Sequence, residues 1–261
     1  MRRMGIFFGI IIFCVFMGMR APASVQASDQ YVSSYDVDDN MPVKVGSTVF
    51  RSRLQQNGSD AGNNIEIEKD GVTIAVLTDT YSQFTTNGKN IYFAKHKKQI
   101  DDDTWKNVIY CYDIKTGRSR RITSGKNYVV MGCSGKHLYC GADSSAGIDG
   151  AKLYVVNVNT KKKRYLTGQV SDIVVSGAKV LANPFSSELW NYPIYIFNEN
   201  GSGKKRIDDG CAGMIKNRKI YYYKADIRNN KYKLFQCSLT GKNKKALTGW
   251  TYEIPEMFRL R

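Results

Sequence analysis

Residues 88–123 read GKNIYFAKHKKQIDDDTWKNVIYCYDIKTGRSRRIT, and this order of features decides the fold. A turn glycine precedes β-branched and aromatic residues, a polar stretch leads to a second apolar segment, and a polar turn precedes Ile122-Thr123. The order occurs five times. The closing pairs, 45, 44, 41 and 40 residues apart, are Leu77-Thr78, Ile122-Thr123, Leu166-Thr167, Ile207-Asp208 and Leu247-Thr248. A strand-rich repeat of this length is typical of β-propeller blades.

Each repeat divides into four strand-like pieces. The second piece follows a turn residue and carries an apolar pair three and four positions later; the turn residues are Gly46, Gly88, Gly135, Gly177 and Asn217. The third piece alternates apolar and polar residues, as in Tyr110 and Tyr112, and leads into an Asp, Asn, Thr or Gly turn. Alternation and such turns favour antiparallel hairpins, and no helical periodicity competes with them. The sequence therefore predicts an all-β propeller of four-stranded blades.

The two ends of the chain differ from the repeats. Arg2 and Arg3 precede an apolar run over residues 6–19, and small residues lead to Ala27, which is the pattern of a secretory signal peptide covering residues 1–27. An uncleaved amino-terminal anchor is the alternative. We expect residues 28–44 to form an N-terminal extension and residues 45–261 to form the propeller domain. The protein is thus predicted to be secreted or extracytoplasmic and associated with the cell envelope.

The number of blades follows from the five copies, with six as the alternative. Residues 251–258 align with the first strand of a repeat, although no sixth copy follows them. We therefore expect this C-terminal strand to join the first blade and close the ring, which would remove an exposed sheet edge. Pro255 opposes this expectation because proline cannot donate a hydrogen bond to a sheet.

Three phrases carry a family resemblance: GKNIYF at residues 88–93, KLFQCSLTG at 233–241 and KALT at 245–248. They resemble the repeats of bacterial exported β-propellers of the lipoprotein-receptor-like and TolB-like groups, which include a domain family of unknown function. The resemblance spans residues 45–258. It implies binding or scaffolding, with no catalytic residues to carry over, and relatives that usually have six blades.

The chain is strongly basic, with 39 Lys and Arg against 23 Asp and Glu and a formal net charge of +16. Residues 1–27 contain three arginines and no acid, so 36 basic and 23 acidic residues remain beyond them, a net charge of +13. Such a balance favours an anionic partner such as a wall polymer or an acidic membrane surface. Solubility alone is the alternative explanation.

The basic residues concentrate in the tight turns that join strands one to two and three to four, which share one face of a propeller. We name this the tight-turn face, and predict its basic residues to be Arg120, Arg121, Lys162, Lys163, Arg164, Lys204, Lys205, Lys244 and Lys245, with Lys89 and Lys136 from neighbouring turns. A face of this kind attracts polyanions through a field that salt weakens. The alternative is that the lysines simply protect strand edges.

The opposite face, the loop face, carries the longer connections and the three tryptophans. The aromatic residues predicted to bind a glycan or a protein partner there are Trp105, Trp190, Trp250, Tyr81, Tyr128 and Tyr252. Exposed aromatic side chains on loops supply contact area at low entropic cost. Packing between blades is the competing explanation for each of them.

Other chemistry is weakly represented in the sequence. Five cysteines follow residue 27, and of these Cys133 and Cys140 flank a tight turn where a disulfide is conceivable but not required. We expect no metal, no cofactor and no nucleic acid partner, and a monomeric, non-enzymatic protein. The alternative function is a five-bladed glycoside hydrolase with axial carboxylates, for which Asp172, Glu253 and Glu256 are the available acids.

Overall fold

The computed structural model describes residues 30–33, 42–55, 63–101, 104–142, 150–184 and 191–258. These residues form antiparallel strands in three sheets of seven, eight and four strands. In this part of the chain, no helix has the length and apolar character that crossing a membrane requires. The predicted signal peptide lies outside the described residues.

The strands group into five blades of four, in chain order, as the repeat predicts. Blade one comprises β2 (Val43–Val45), β3 (Thr48–Gln55), β4 (Asn63–Lys69) and the first part of β5 (Val72–Thr86). Blade two comprises the rest of β5, β6 (Asn90–Asp101), β7 (Thr104–Asp113) and β8 (Arg118–Arg121). Blade three comprises β9 (Tyr128–Ser134), β10 (His137–Ala142), β11 (Ala151–Asn157) and the first part of β12 (Lys163–Ser176).

Blade four comprises the rest of β12, β13 (Lys179–Pro184), β14 (Tyr192–Asn198) and β15 (Lys205–Gly210). Blade five comprises β16 (Ala212–Lys216), β17 (Lys219–Asp226), β18 (Lys231–Ser238) and β19 (Lys245–Ala246). Two short 3-10 helices, Ile227–Asn229 and Glu256–Phe258, complete the described elements.

The long strands β5 and β12 each serve two blades. Their pairing changes partner near Asp79 and Gln169, which adopt left-handed backbone conformations with φ of 54° and 55°. A residue in this conformation acts as a bulge that redirects a strand. The outer strand of one blade therefore continues directly into the inner strand of the next.

Four apolar clusters hold successive blades together. Tyr92 of blade two, for example, packs with Leu138 of blade three, and Tyr139 of blade three packs with Ile173 of blade four. Strands β6 and β10 bury almost every side chain near their starts because both faces of an internal blade meet a neighbour. The core therefore lies between the blades, in flat layers at each interface.

Within the described residues, blade one packs against another blade on one face only. Phe50, Ile65 and Ile67 are buried against blade two, whereas the alternate positions carry Arg51, Arg53, Glu66 and Glu68. Arg53 and Glu68 form an ion pair of 3.0 Å on that outer face. A charged outer face allows the first unit of a repeat array to stay in contact with water, because it does not need a partner to cover it.

Blade five ends differently, and the predicted ring closure is wrong in this respect. Residues 251–258 do not supply a strand to blade one, which already has four strands of its own. Thr251 instead pairs with Tyr232 of β18, and Phe258 packs on Tyr223 at the outer face of blade five. Pro255 cannot donate to a sheet, so the segment forms one bridge and a 3-10 turn.

The N-terminal extension contributes to the propeller. Strand β1 (Gln30–Ser33) pairs with residues 172–175 of β12, whose other edge pairs with β13. Because β12 is the inner strand of blade four at this point, β1 lies on the axial side of that blade. Strands β1 and β2 both belong to sheets that form blades.

A hairpin glycine in blade four has no room for a side chain. Gly201 has a φ of 76°, and a Cβ built on it would lie 2.5 Å from Leu166 Cδ2 and 2.7 Å from Val155 Cγ1 in blade three. We expect Gly201→Ala to lower the free energy of unfolding by about 3 kcal/mol, because overpacking adds to backbone strain. Denaturant unfolding would measure the loss. Gly177→Ala is the control, since its φ is 54° and no atom lies within 4 Å; an equal loss in both variants would contradict the steric argument.

Candidate anion-binding face

The tight-turn face is built from two turns in each blade. Backbone hydrogen bonds join the three-to-four turn to the one-to-two turn: Ile114 N donates to Lys89 O at 3.0 Å, and Val158 N donates to Lys136 O at 2.9 Å. Glu199 N donates to Ala178 O at 2.9 Å in blade four. The turns therefore form a continuous, hydrogen-bonded surface, as the repeat predicts.

Side chains also link the turns of adjacent blades. Asn87 Oδ1 accepts hydrogen bonds from the amides of Lys89 and Asn90, which fixes the blade-two turn. Asn87 Nδ2 donates to Gly135 O of blade three at 3.0 Å. Ser134 Oγ donates in turn to Gly177 O of blade four at 3.4 Å. These contacts hold the turns of blades two, three and four in fixed relative positions.

A groove of about 560 Å³ opens on this face above the interface of blades two and three. It reaches from Val45 and Val175 of the inner strands outward to Arg120 and Asn159. Its polar wall consists of three cations and four uncharged hydrogen-bonding residues: Lys89, Arg120, Lys136, Asn87, Asn90, Ser134 and Asn159. None of the described residues lining the groove is acidic.

The three cations of the groove differ in how they are held. Arg120 Nη1 donates to Val158 O of blade three at 3.0 Å, so the guanidinium spans the two blades and keeps further N–H groups for a ligand. The ammonium groups of Lys89 and Lys136 make no hydrogen bond or ion pair within the described part of the chain. One cation is thus positioned in advance, and two more are available to a ligand.

The floor of the groove contributes no negative charge at neutral pH. Burial raises the pKa of Tyr92 well above its usual value, and the nearby thiols of Cys111 and Cys133 raise it further. Burial also raises the pKa of Cys133 to about 12. The phenol and the thiol therefore stay protonated, and the field of the cations is not neutralised from below.

One acidic residue touches the border of the groove. Glu199 Oε2 accepts a hydrogen bond from Ser134 Oγ at 3.2 Å, and its other oxygen lies 3.7 Å from His137 Nδ1. Burial lowers the pKa of His137, and Glu199 only partly opposes that shift, so the imidazole is neutral at pH 7. Glu199 is therefore engaged by its neighbours outside the groove wall.

The predicted basic residues of the tight-turn face fall into two groups. Lys163, Lys204 and Lys244 have local partners: Lys163 Nζ lies 2.6 Å from Tyr128 Oη, Lys204 Nζ lies 4.1 Å from the centroid of Tyr195, and Lys244 pairs with Asp208 at 3.2 Å. The remaining six residues are exposed. They are Arg120, Arg121, Lys162, Arg164, Lys205 and Lys245. The face is therefore basic, but a third of its predicted cations serve the fold.

The predicted aromatic site of the loop face is only partly described. The side chains of Trp105, Trp190 and Tyr81 lie outside the described residues. Trp250 and Tyr252 are 46% and 71% exposed, as a binding role requires. Tyr128 is a correction, because it is fully buried at the start of β9 and its hydroxyl meets Lys163.

A second groove of about 560 Å³ lies beside Trp250. Its wall includes Ile227, which is 43% exposed, and Arg228 of the same 3-10 helix. The other polar side chains of the wall are committed: Asn191 bonds both backbone groups of Ala225, and Asp226 caps the helix through Asn229. In the described part of its wall, this groove offers an apolar platform and one cation, that of Arg228.

The remaining sequence hypotheses find little support from local geometry. Asp172, the acid proposed for a glycosidase, accepts a hydrogen bond from Asn183, which also bonds Gly213 of blade five. Glu253 and Glu256 belong to the segment that packs on blade five. Within the described residues, no three His, Cys, Asp or Glu side chains are grouped as a metal site requires.

Cys133 and Cys140 do not form a disulfide. Cys133 lies opposite Leu138 and Cys140 lies opposite Val130 in the β9–β10 hairpin, so the two thiols are not cross-strand partners. All five described cysteines are buried, and none of them forms a disulfide. Cys111, Cys133, Cys140 and Cys237 pack as small residues in the clusters between blades, whereas Cys211 packs in the cluster on the outer face of blade five.

Comparison with known proteins identifies the fold. No protein-family model and no curated protein matches the sequence. Among solved structures, the acylaminoacyl peptidase of Pyrococcus horikoshii is 10% identical with a TM-score of 0.55, over 85% of this chain and 38% of that chain. The propeller domain of the Trilobed protease from Pyrococcus furiosus is 13% identical with a TM-score of 0.52, over 87% and 69%. The fold is a β-propeller.

A TolB protein also occurs among the similar structures. TolB from Acinetobacter baumannii is 15% identical with a TM-score of 0.46, over 76% of this chain and 51% of that chain. The chain thus spans about half of TolB and less than half of the peptidase. The similar structures include peptidases, and at 10% identity the likeness is one of fold alone.

The groove on the tight-turn face contains residues that sequence reasoning did not select. Lys89, Lys136 and Arg120 were expected on this face, but Asn87, Asn90, Asn159 and Ser134 were not singled out. A sequence signal did exist, because Asn and Ser beside a turn glycine commonly bond the backbone of the turn. Their convergence on one groove depends on the packing of blade two on blade three.

Proposed function

We propose that this protein is a non-enzymatic, extracytoplasmic binding module whose tight-turn face holds a phosphate-bearing polymer of the cell envelope. The observation that carries the proposal is the groove lined by Lys89, Arg120 and Lys136 without an acidic residue. Arg121, Lys162 and Arg164 are exposed in the outer strand of blade two and in and after the three-to-four turn of blade three. We expect them to form a basic rim beside the groove. A polyanion would contact both the groove and this rim.

The distribution of positive charge over several blades favours a polymer, rather than a small ligand alone, as the partner. Cations distributed over several blades act additively on a long anion, whereas a single exposed ion pair contributes at most about 1 kcal/mol. Residues 1–27 have the pattern of a signal peptide, which would place the chain among envelope polymers. The net charge of +13 beyond residues 1–27 is consistent with retention on such material.

The test is retention of the full protein on immobilised poly(glycerol phosphate) as a function of salt. We expect Lys162→Gln with Arg164→Gln to weaken binding about tenfold and to lower the salt needed for elution, because both side chains are exposed on the rim. Lys97→Gln with Arg228→Gln is the control, since it removes the same charge from exposed residues near the loop face. Equal weakening by both pairs, or elution that ignores salt, would contradict the proposal.

The same experiment distinguishes two other kinds of partner from a phosphate-bearing polymer. Binding to vesicles that contain anionic lipid, without retention on the polymer, would assign the face to a membrane surface instead. Retention that survives high salt and is lost in Trp250→Ala would favour the second candidate function, a glycan or protein partner on the loop face. The exposed Trp250 and Ile227 at the second groove are the observation behind that candidate.

A further inference from the structure

The groove between blades two and three differs from the rest of the tight-turn face, because three cations line one concave volume there. Lys89 comes from the one-to-two turn of blade two, Lys136 from the same turn of blade three, and Arg120 from the outer strand β8. The rim cations Arg121, Lys162 and Arg164 are exposed at separate positions in β8, in the three-to-four turn of blade three and in β12. A single small ligand can therefore contact all three cations of the groove, whereas only an extended ligand can contact several rim cations.

We propose that this groove is a binding site for a single phosphate or pyrophosphate group. The inference rests on the proposed function and specifies the chemistry that one part of the polymer would present there. A volume of about 560 Å³ lies within the range typical of small-molecule sites and exceeds what one phosphate needs. The site would accept a phosphate together with its flanking ester groups.

The hydrogen-bonding inventory of the groove matches an oxyanion. Two lysines offer ammonium donors, Arg120 offers a fork of N–H groups, and the side chains of Asn90 and Asn159 add uncharged polar groups at the wall. Several cations around one ligand favour a phosphate monoester or pyrophosphate over a carboxylate, because these anions carry more charge and more charge-bearing oxygens than a carboxylate does. Cys133 and Tyr92, both protonated, close the bottom without repelling the anion.

Existing contacts fix the site before any ligand arrives. Val158 O holds Arg120, and Asn87 holds the turn that carries Lys89 and bonds the turn that carries Lys136. Binding therefore requires ordering of only the two lysine side chains. Groups already held by the fold cost less entropy when a ligand binds.

Calorimetric titration of the full protein with pyrophosphate tests the inference. We expect Lys89→Gln with Lys136→Gln to weaken pyrophosphate binding at least about tenfold. Neither side chain has a partner in the described part of the chain, so this variant should retain the wild-type melting temperature. The rim variant Lys162→Gln with Arg164→Gln should bind pyrophosphate as the wild type does. Acetate, titrated in parallel, should bind more weakly than pyrophosphate.

The outcomes separate this inference from the proposed function. If pyrophosphate does not bind, or binds the groove variant as well as the wild type, the groove site is wrong even where the polymer is retained. If pyrophosphate binds through Lys89 and Lys136 but no phosphate polymer is retained, the site stands as a small-anion site and the proposed function fails. Tighter binding of acetate than pyrophosphate would overturn the choice of phosphate.

Discussion

Replacing Phe258 with alanine is expected to lower the free energy of unfolding by about 3 kcal/mol, because the ring is buried against blade five. Phe258 meets Tyr223 edge to face, with centroids 5.0 Å apart, and packs in a cluster with Cys211, Ala225 and Tyr232. Ile254 and Met257 add apolar contact to the same cluster. Urea unfolding of the variant would measure the loss.

Tyr252→Ala provides the matched control for this prediction. Tyr252 belongs to the same segment, but its ring is 71% exposed and contacts Lys231 only through a cation–π distance of 5.0 Å. Its removal should change the free energy of unfolding by less than about 0.5 kcal/mol. If Phe258→Ala were as stable as Tyr252→Ala, the segment would not cover blade five in solution.

A protein truncated after Thr248 would lack the whole segment that covers the outer face of blade five. The truncated protein keeps the hydrogen bond from Leu234 N to Thr248 Oγ1. It loses the two backbone hydrogen bonds between Thr251 and Tyr232, of 2.7 and 2.9 Å, and the bond from Thr251 Oγ1 to Tyr232 O at 3.4 Å. It also exposes the apolar face that Phe258 covers. We expect it to self-associate, which light scattering would detect, because an uncovered apolar face is an aggregation hazard.

The two ends of the propeller explain why the C-terminal segment is needed. Blade one ends in a charged face with the Arg53–Glu68 pair, which can remain in water. Blade five presents Tyr223, Ala225 and Tyr232, residues as apolar as those of the interfaces between blades. Among the described strands, blade five makes no contact with blade one comparable to those between successive blades. The last blade is therefore covered by its own chain rather than by the first.

The repeating part of the fold was readable from the sequence because local chemistry and tertiary packing agree there. Turn residues with left-handed backbone, such as Gly88 and Asn217, stand where the strand periodicity ends, so each blade is delimited by its own residues. The apolar run at residues 91–94 is buried on both faces of its strand, between two neighbouring blades. The five copies of the sequence repeat therefore correspond to the five blades.

The ends of the chain were not readable in the same way. Residues 30–33 are four residues without a repeat context, and their partner is 140 residues away in β12. Residues 251–258 resemble a first strand in sequence, but blade one already had its inner strand at Val43–Val45. A terminal strand joins a sheet edge that the rest of the fold leaves unpaired, and no local sequence pattern shows which edge that is.

The candidate site shows the same limit. The sequence placed Arg120 among nine basic residues of one face, but its bond to Val158 O follows only from the packing of two blades. Tyr128 was expected to be exposed beside a connection, yet alternation along β9 directs it inward. The sequence thus predicted that basic and aromatic residues would form the candidate sites. Only the structure shows whether a given residue is available to a ligand or packs in the core.

Asp208→Asn is expected to lower the free energy of unfolding by about 2 kcal/mol at pH 7, because the half-buried carboxylate joins two ammonium groups and a phenol. Asp208 accepts from Tyr222 Oη at 2.6 Å and pairs with Lys224 at 2.9 Å and Lys244 at 3.2 Å. An amide would leave both lysines without a counter-charge. Thermal unfolding of the variant would measure the effect.

The pH dependence gives this prediction a distinct signature. Burial alone would raise the pKa of Asp208, but the hydrogen bonds from Tyr222, Lys224 and the Asp209 amide outweigh burial and hold the pKa well below its ordinary value of 3.8. A carboxyl whose pKa is lower in the folded state stabilises it fully above the unfolded pKa and loses that contribution as pH falls below it. The wild type should therefore lose stability below about pH 4, and Asp208→Asn should show a shallower loss over the same interval.

Asp79→Asn is the matched control, with the same chemical change at an exposed site. Asp79 pairs only with Lys95, at 3.1 Å, and its side chain is 48% exposed. A single exposed pair contributes at most about 1 kcal/mol, so this variant should keep the acid slope of the wild type. Equal acid profiles for Asp208→Asn and the wild type would show that the cluster does not stabilise blades four and five. Because Asp208 lies in β15 of blade four and both lysines in blade five, a shallower slope would assign part of the acid sensitivity to that interface.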